Sequence, residues 1–344
     1  MENIVYFLGA GFSAPLGLPV MSNFMRKAKD LYQNGDSKFE WFKSIFEYTE
    51  EKLPKILKFY QSDLNNIEEV LSILEMRKII FNDFSDTEFK RFIIEVVTAY
   101  TPKLSYSDLP EDIHNIDNSL TFLQNSHNKI VIYLKFVLAL SHYHFFGDFE
   151  EYDNYTHSKS IKTDIKYSII TTNYDNVIEN ANKGLHMILN VDEGSTKNAI
   201  LPDIVKLHGC LDSGIITPNW NKGINELIRT EWIRAYNILK SCNHIRIIGY
   251  SLPETDSYLK FLFKLSYLEN LNLKNIDIIC MDKEFGNLQR RYENFFGNNT
   301  SVRYQNKNVV DYLCNIQLLR NDDKNIQRQY YDIENFHNNF MSRI

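Results

Sequence analysis

Residues 4–13, IVYFLGAGFS, decide the fold. Five apolar residues run without polar alternation into Gly9-Ala10-Gly11, the pattern of a parallel strand buried on both faces and followed by a tight turn. Ser13 stands where it can cap a helix whose first turn contains Ala14 and Pro15, a place that tolerates proline because the first helical N–H has no partner within the helix. Glycines at such a turn let backbone approach a phosphate, and a helix N-terminus aims N–H donors at its charge. The third glycine of the usual dinucleotide fingerprint is missing, so GAGFS taken alone is equally a bare strand–turn–helix.

Working outward, the same rhythm returns far down the chain. After the GLP break at 17–19, a second helix capped by Ser22 is expected to run to about residue 33. Residues 167–171, 204–207 and 245–248, the segment IDIICMD at 276–282 and SVRY at 301–304 read as strands, with helices between them over about 224–241, 255–270 and 284–296. Short apolar strands alternating with helices predict an α/β fold with a doubly wound, mostly parallel, Rossmann-like sheet. Between 36 and 160 the pattern changes. Ile67, Val70, Leu71 and Leu74, then Phe92, Ile93, Val96 and Val97, recur at helical spacing, and a third helix is expected over about 125–146. These predict an all-helical insertion at 36–160 lodged in a discontinuous nucleotide domain of residues 1–35 plus 161–321. EEYDNYTHSKS, 150–160, reads as its exit loop. Ile326, Tyr330, Ile333, Phe336 and Phe340 predict a final amphipathic helix in a tail at 322–344.

Composition narrows the class. With 344 residues, 44% hydrophobic, 24% charged and only 8 prolines, the chain reads as an ordered globular protein, long enough for a large domain with an insertion. A net charge of −6 offers no general attraction to a phosphate backbone, so direct nucleic-acid binding is not expected. The opening lacks the basic start and cleavage site of a secretory signal, and the densest apolar run, 130–140, is interrupted by Lys135 and too short to span a bilayer. A cytoplasmic protein without membrane contact is expected. Cys210, Cys242, Cys280 and Cys314 stand apart with no CxxC pair, so neither a zinc knuckle, a disulfide framework nor any other metal site is expected.

Four polar clusters follow the strands. In an open α/β sheet, ligands bind beyond the carboxyl ends of the strands, so these clusters are expected to converge with the GAGFS turn on one nucleotide crevice. The first is Thr171-Thr172-Asn173-Tyr174-Asp175. Asn173 can hold a ribose hydroxyl or a water, and Asp175 can accept from sugar hydroxyls or backbone N–H groups; alternatively Thr172 or Asn173 caps the next helix and Asp175 adds charge to its first turn. The second is Lys206-Leu207-His208-Gly209, with Asp212 and Ser213 nearby. His208 suits a general base near neutral pH, or is a buried histidine making a single hydrogen bond. In the third, Gly249-Tyr250-Ser251 followed by Glu254, Thr255 and Asp256, the glycine and Ser251 can contact ribose or phosphate while Glu254 or Asp256 starts the following helix. Asp282, at the end of its strand, can grip a ribose. There is no GxxxxGK[ST], GxSxG or HExxH, which disfavours a P-loop ATPase, an α/β-hydrolase and a zincin.

Together, GAGFS, TTNYD, KLHG and GYSLPETD resemble the sirtuin superfamily, and within it the bacterial sirtuin-like NADases of antiphage defence, in which a GAG turn, a TxN-x-D segment, a KLHG histidine and a GYS- or GTS-type loop occur in this order around one NAD site. The match is discontinuous, from residue 4 to about 282. The resemblance implies that Gly9, Ala10, Gly11, Phe12 and Ser13 cradle the pyrophosphate, that Asn173 and Asp175 lie near the nicotinamide ribose, with Thr172 beside them among the NAD-binding residues, that His208 is the catalytic histidine, and that Gly249, Tyr250, Ser251 and Asp282 contact the adenosine side. NAD+ is then the substrate and Asn173 and His208 the catalytic pair. Deacylases of the superfamily carry a four-cysteine zinc module after that histidine; here Cys210 and Cys242 stand unpaired, which favours water over acyl-lysine as nucleophile and makes an NAD+ hydrolase the expected enzyme. A non-catalytic NAD or ADP-ribose sensor is the alternative. The resemblance also implies a homo-oligomer that stays quiet until a phage-derived trigger or a partner protein activates it to deplete NAD during infection; with no sensor domain evident in the chain, activation through assembly with a separately encoded ATPase or nucleic-acid-guided partner is expected.

Overall fold

Strand order is the first test of the reading of IVYFL. The computed structural model describes residues 1–58, 60–81, 86–113, 116–126, 128–148, 155–189, 202–212, 214–215, 226–253, 256–282, 286–297, 301–321 and 326–342. In chain order its strands are β1 Glu2–Leu8, β2 Tyr143–Asp148, β3 Tyr155–Ser160, β4 Ile165–Thr171, β5 Asp203–Lys206, β6 Gly209–Cys210, β7 Gly214–Ile215, β8 His244–Ile248, β9 Asn275–Ile279, β10 Ser301–Gln305, β11 Leu318–Arg320 and β12 Ile326–Tyr331. Six of them form one sheet in the order β10-β9-β8-β1-β4-β5, every neighbouring pair parallel. The winding reverses between β1 and β8, so β1 lies at the switch point of a doubly wound α/β sheet.

β1 is central because IVYFL has no side that tolerates water. Alternate residues of a strand point to opposite faces. Val5 and Phe7, with Ile170, Ile245, Ile247, Ile276 and Ile278, pack in the core under the helices Glu226–Ser241, Ser257–Glu269 and Asn287–Phe296. Ile4, Tyr6 and Leu8, with Tyr167 and Ile169, pack in the opposite core, which includes the helices Lys129–Leu140, Val177–Leu189 and Ile333–Met341.

That second face carries a feature absent from the sequence reading. Tyr6, Arg246, Asp277 and Arg303 lie in register across β1, β8, β9 and β10. Arg246, buried, donates to both oxygens of Glu334 at 2.8 and 2.6 Å and to the Tyr6 hydroxyl at 2.6 Å. Arg303 grips both oxygens of Asp277 at 2.6 and 2.8 Å, and His337 Nε2 sits 2.9 Å from Asp277. Tyr312 meets His337 Nδ1 at 2.9 Å, and Tyr167 donates to Glu334 at 2.7 Å. Glu334 and His337 come from Ile333–Met341, so this helix is joined to the sheet by paired charges rather than by apolar contact alone. Burial alone raises the Glu334 pKa, but hydrogen bonds and charge from Arg246, with the Tyr167 hydroxyl, bring it below its ordinary value.

Three elements differ from expectation. The helix predicted over 125–146 ends at Leu140; His142 turns with φ +49° and β2 follows. The stretch 150–160 is not wholly a loop, since 155–160 form β3, while 149–154 lie outside the described residues. The tail is not one helix: β12 precedes Ile333–Met341, whose first N–H groups are capped by Asp332. Together β11, β12, β2 and β3 build a four-stranded antiparallel sheet. The segment 36–160 is therefore largely helical but not all-helical. Of its last strands, β2 pairs with β12 of the tail and β3 with β2, and only this pairing with a distant partner fixes β2 as a strand. Among the described residues no helix is long and apolar enough to cross a membrane.

Candidate functional site

The two glycine turns meet at the switch point and lock. Gly9 N–H donates to Ile248 O at 3.0 Å and Gly11 N–H to Gly249 O at 2.8 Å. A Cβ on Gly9 would lie 2.6 Å from Tyr250 Cα, one on Gly11 2.8 Å from Gly249 Cα, and one on Gly249, whose φ is +64°, 2.3 Å from Phe12 N. The glycines are thus required by backbone-to-backbone contact between the turns after β1 and β8. Phe12 N–H is also bonded internally, to Gly9 O at 2.9 Å. Ser13 does not cap a helix: a short helix Ala10–Ser13 runs straight into the 3₁₀ turn Ala14–Leu16, and no cap bond from Ser13 forms.

Instead Ser13 turns toward the β4 cluster. Asn173 Nδ2 donates to Gly9 O at 3.0 Å and reaches Ser13 Oγ at 3.3 Å. Thr171 donates from its hydroxyl to Leu8 O at 2.9 Å and accepts from Asn173 N at 3.0 Å; Thr172 N–H adds a bond to Leu8 O at 3.2 Å. Asp175 is buried, and burial raises its pKa despite stabilisation by Val177 N–H, the Ser13 hydroxyl and the Lys206 charge. Its Oδ1 accepts from Val177 N–H at 3.1 Å, so it caps the helix Val177–Leu189 while belonging to the cluster.

Lys206 joins this cluster to the next. Its ammonium lies 2.6 Å from Asp175 O, 3.0 Å from Asn176 Oδ1 and 2.8 Å from Glu179. Asn176 donates to Asp212 at 3.0 Å, tying the same two loops again. His208 is buried, with its ring 6.0 Å from that of Tyr174. Gly209 takes φ +76° to enter the β6–β7 hairpin, and Trp232 pins the strand end by donating to Leu207 O at 3.1 Å. A small cavity of about 10 Å³, room for about one water, is lined by Leu8, Phe12, Thr171, Asn173, Asp175 and Lys206 among others.

The remaining expected site residues are spread differently. Phe12 and Tyr250 place their rings in the two cores, Phe12 against Tyr133 and Tyr250 against Phe7, each pair with centroids 5.1 Å apart. The Tyr250 hydroxyl donates to Asp256 at 3.0 Å. Ser251 is exposed, and its carbonyl accepts from Arg291 at 3.0 Å. Asp282, after β9, accepts from Leu288 N–H at 3.1 Å and so caps Asn287–Phe296; β1 and β8 separate its strand from β4. Ser213, Glu254 and Thr255 lie outside the described residues. Sequence reading gave no role to Lys206, Tyr133, Trp232 or Arg291. Lys206 alone carried a signal, a lysine at the end of a buried strand, where charge needs partners. Tyr133, which donates to Phe12 O at 2.7 Å, comes from the insertion and is visible only in three dimensions.

The sequence matches no protein-family model and no curated protein. Among solved structures, a Sir2 complex with the inhibitor EX-527, 2'-O-acetyl-ADP-ribose and a deacetylated p53 peptide is similar at a TM-score of 0.34 and 11% identity, over 91% of this chain and 92% of that chain. Sir2Tm bound to a propionylated peptide reaches 0.36 at 13% identity, over 91% of each chain. A Sir2–p53 peptide–NAD+ complex reaches 0.34 at 11% identity, again over 91% of each. Similarity at this level carries no argument about the present chain, whose fold rests on its own strand order and register.

Proposed function

We propose that the chain is a sirtuin-like NAD+ hydrolase. The observation that carries this reading is the junction of motifs at the switch point, where Asn173 spans to Gly9 and Ser13 and Lys206 ties the Asn173 loop to the end of β5, two residues before His208. Residues 1–35 and 161–321 supply the NAD-binding unit in this reading. Asn173 and His208 orient and activate water at C1′ of the nicotinamide ribose. The bond from C1′ to nicotinamide breaks, nicotinamide leaves as a neutral amide, and the water proton passes to His208, giving ADP-ribose, nicotinamide and a proton. The leaving group is already neutral, so its departure needs little acid assistance.

Pyrophosphate binding falls to the Gly9–Ser13 turn. Because Gly9, Gly11 and Phe12 already spend their N–H groups inside the protein, the phosphates are met by the turn's other donors or displace one of these bonds. Thr172 and Asp175 serve the nicotinamide ribose, and Gly249, Tyr250, Ser251 and Asp282 the adenosine side. Tyr250 acts there through its backbone, since its ring is buried. We read the protein as a cytoplasmic homo-oligomer that depletes NAD in antiphage defence when a separately encoded ATPase or nucleic-acid-guided partner activates it.

The test is nicotinamide release from NAD+ by the purified chain, alone and in lysate of phage-infected cells. Loss of a base or water-orienting group costs about 10²–10⁴-fold, so Asn173→Ala and His208→Ala should each abolish measurable release while retaining the fold by circular dichroism. NAD+ bound without release in either setting would replace this reading with a sensor; release that requires an acyl-lysine peptide would replace it with a deacylase.

A further inference from the structure

The helix Ser257–Glu269 connects β8 to β9 and buries Leu259, Leu262, Phe263 and Ser266 toward the sheet. A surface helix on a doubly wound sheet should be polar on its other side. This one is not. Tyr258, Phe261, Leu265 and Leu268 recur at spacings of three and four residues along the outer side, and Leu271 extends the line past the helix end; Phe261 is 62% exposed, Leu268 77% and Leu271 93%. Lys264 borders the line, its ammonium 5.7 Å from the centroid of the Phe295 ring and 6.0 Å from that of Phe261, so one edge of the stripe carries a charge.

At roughly 150–250 Å² for a fully exposed large side chain, exposures of 46% to 93% put these five residues at about 500–800 Å², at or beyond the upper end of the ~300–600 Å² of the largest apolar patch on a typical monomer. The upper figure matches the ~800 Å² that each partner contributes to a standard-size stable interface. A straight stripe of this length is self-complementary about a two-fold axis. Set antiparallel against its own copy, it brings Phe261 opposite Leu268 and Leu265 beside the axis, an isologous contact closed at two subunits.

We infer that the outer side of Ser257–Glu269, through Tyr258, Phe261, Leu265, Leu268 and Leu271, is a self-association surface whose occupant is the same helix of a second copy. This rests on the homo-oligomer part of the reading above and is independent of the NAD chemistry. It places the contact on the α/β sheet's own helices, outside both the 36–160 insertion and the 322–344 tail.

The experiment is sedimentation velocity of the full chain across micromolar concentrations, beside Phe261→Glu/Leu268→Glu and a control, Ile79→Glu/Phe81→Glu, drawn from exposed apolar residues of the insertion. Wild type and control should sediment as dimers or larger, and the helix variant should self-associate at least about a hundredfold more weakly, because an isologous contact loses each of the two anchors twice, four side chains each worth more than about 1 kcal/mol. As a second readout, Leu265→Cys should cross-link to its own copy through a short bis-maleimide at the near-axis position. A wild type that stays monomeric overturns both this surface and the homo-oligomer reading. An oligomer unaffected by Phe261→Glu/Leu268→Glu overturns the surface alone; a stripe that captures a different protein while the chain itself remains monomeric overturns both.

Discussion

Glu334→Leu is the sharpest test of how the C-terminal helix is held. Arg246 is 3% exposed and spends two donors on Glu334 and one on Tyr6, while Tyr167 gives its hydroxyl to the same carboxylate. Removing one partner of a buried pair leaves the other charge in a medium that cannot solvate it, at about 3–5 kcal/mol. Glu334 keeps about a quarter of its side chain in water, so the lower end, about 3 kcal/mol, is appropriate. With a urea slope of about 3 kcal/mol/M, the midpoint should fall by about 1 M. Equilibrium unfolding in urea at pH 7.5, followed by fluorescence and by far-UV circular dichroism, measures it. The paired replacement Arg246→Met/Glu334→Leu removes both charges and should recover most of the loss. A midpoint for Glu334→Leu within about 0.3 M of wild type, near 1 kcal/mol at that slope, would refute the reasoning. So would a double variant no better than the single.

Further expectations concern protons and turns. His337 is fully buried; burial and then the Arg246 charge lower its pKa to about 4, outweighing Asp277. The neutral ring is the one that folds, so its contribution is complete above about pH 6.5 and is lost as pH falls toward about 4, amounting to roughly 3 kcal/mol at about 1.4 kcal/mol per unit; thermal melts from pH 7.5 to 5 should be steeper in wild type than in His337→Gln. Asp175 has the opposite sign, because burial raises its pKa and its charge is a cost at neutral pH. Asp175→Asn should therefore be no less stable than wild type at pH 7.5, and its relative advantage should shrink as pH drops from the raised folded value to the ordinary carboxylate value; a large loss of melting temperature at pH 7.5 would contradict this. Lys206→Met removes the tie between the Asn173 loop and β5 and should lower kcat for nicotinamide release more than it raises KM, which steady-state kinetics can separate.

Much of this architecture is legible in the chain because parallel strands buried on both faces read as continuous apolar runs, as in residues 4–8 and 167–171. The runs HIRII and NIDII look similar, and the single charge in each gives no hint that Arg246, Asp277 and Arg303 fall side by side; that follows from lateral register, which no local pattern encodes. β2 was hidden for a related reason. Phe145 and Phe146 continue the helical spacing of 130–140, no glycine or proline marks the turn at His142, and the pairing partner β12 lies in the tail. At the site, position was readable, since polar residues after buried strands share one edge of the sheet. How the groups are used was not. The N–H groups of Gly9 and Gly11 look like phosphate donors in sequence, and only the approach of the Gly249 turn shows them engaged.

That engagement ties together the fates of two loops separated by most of the chain. The amides of Gly9 and Gly11 can become exchange-competent only when the turn after β8 withdraws, and that turn can withdraw only by releasing both. In native-state hydrogen exchange the two segments should open as one cooperative unit with a common free energy. A ligand that grips either loop then slows exchange in both, so protection of the Gly249 turn becomes a remote gauge of what is bound at Gly9.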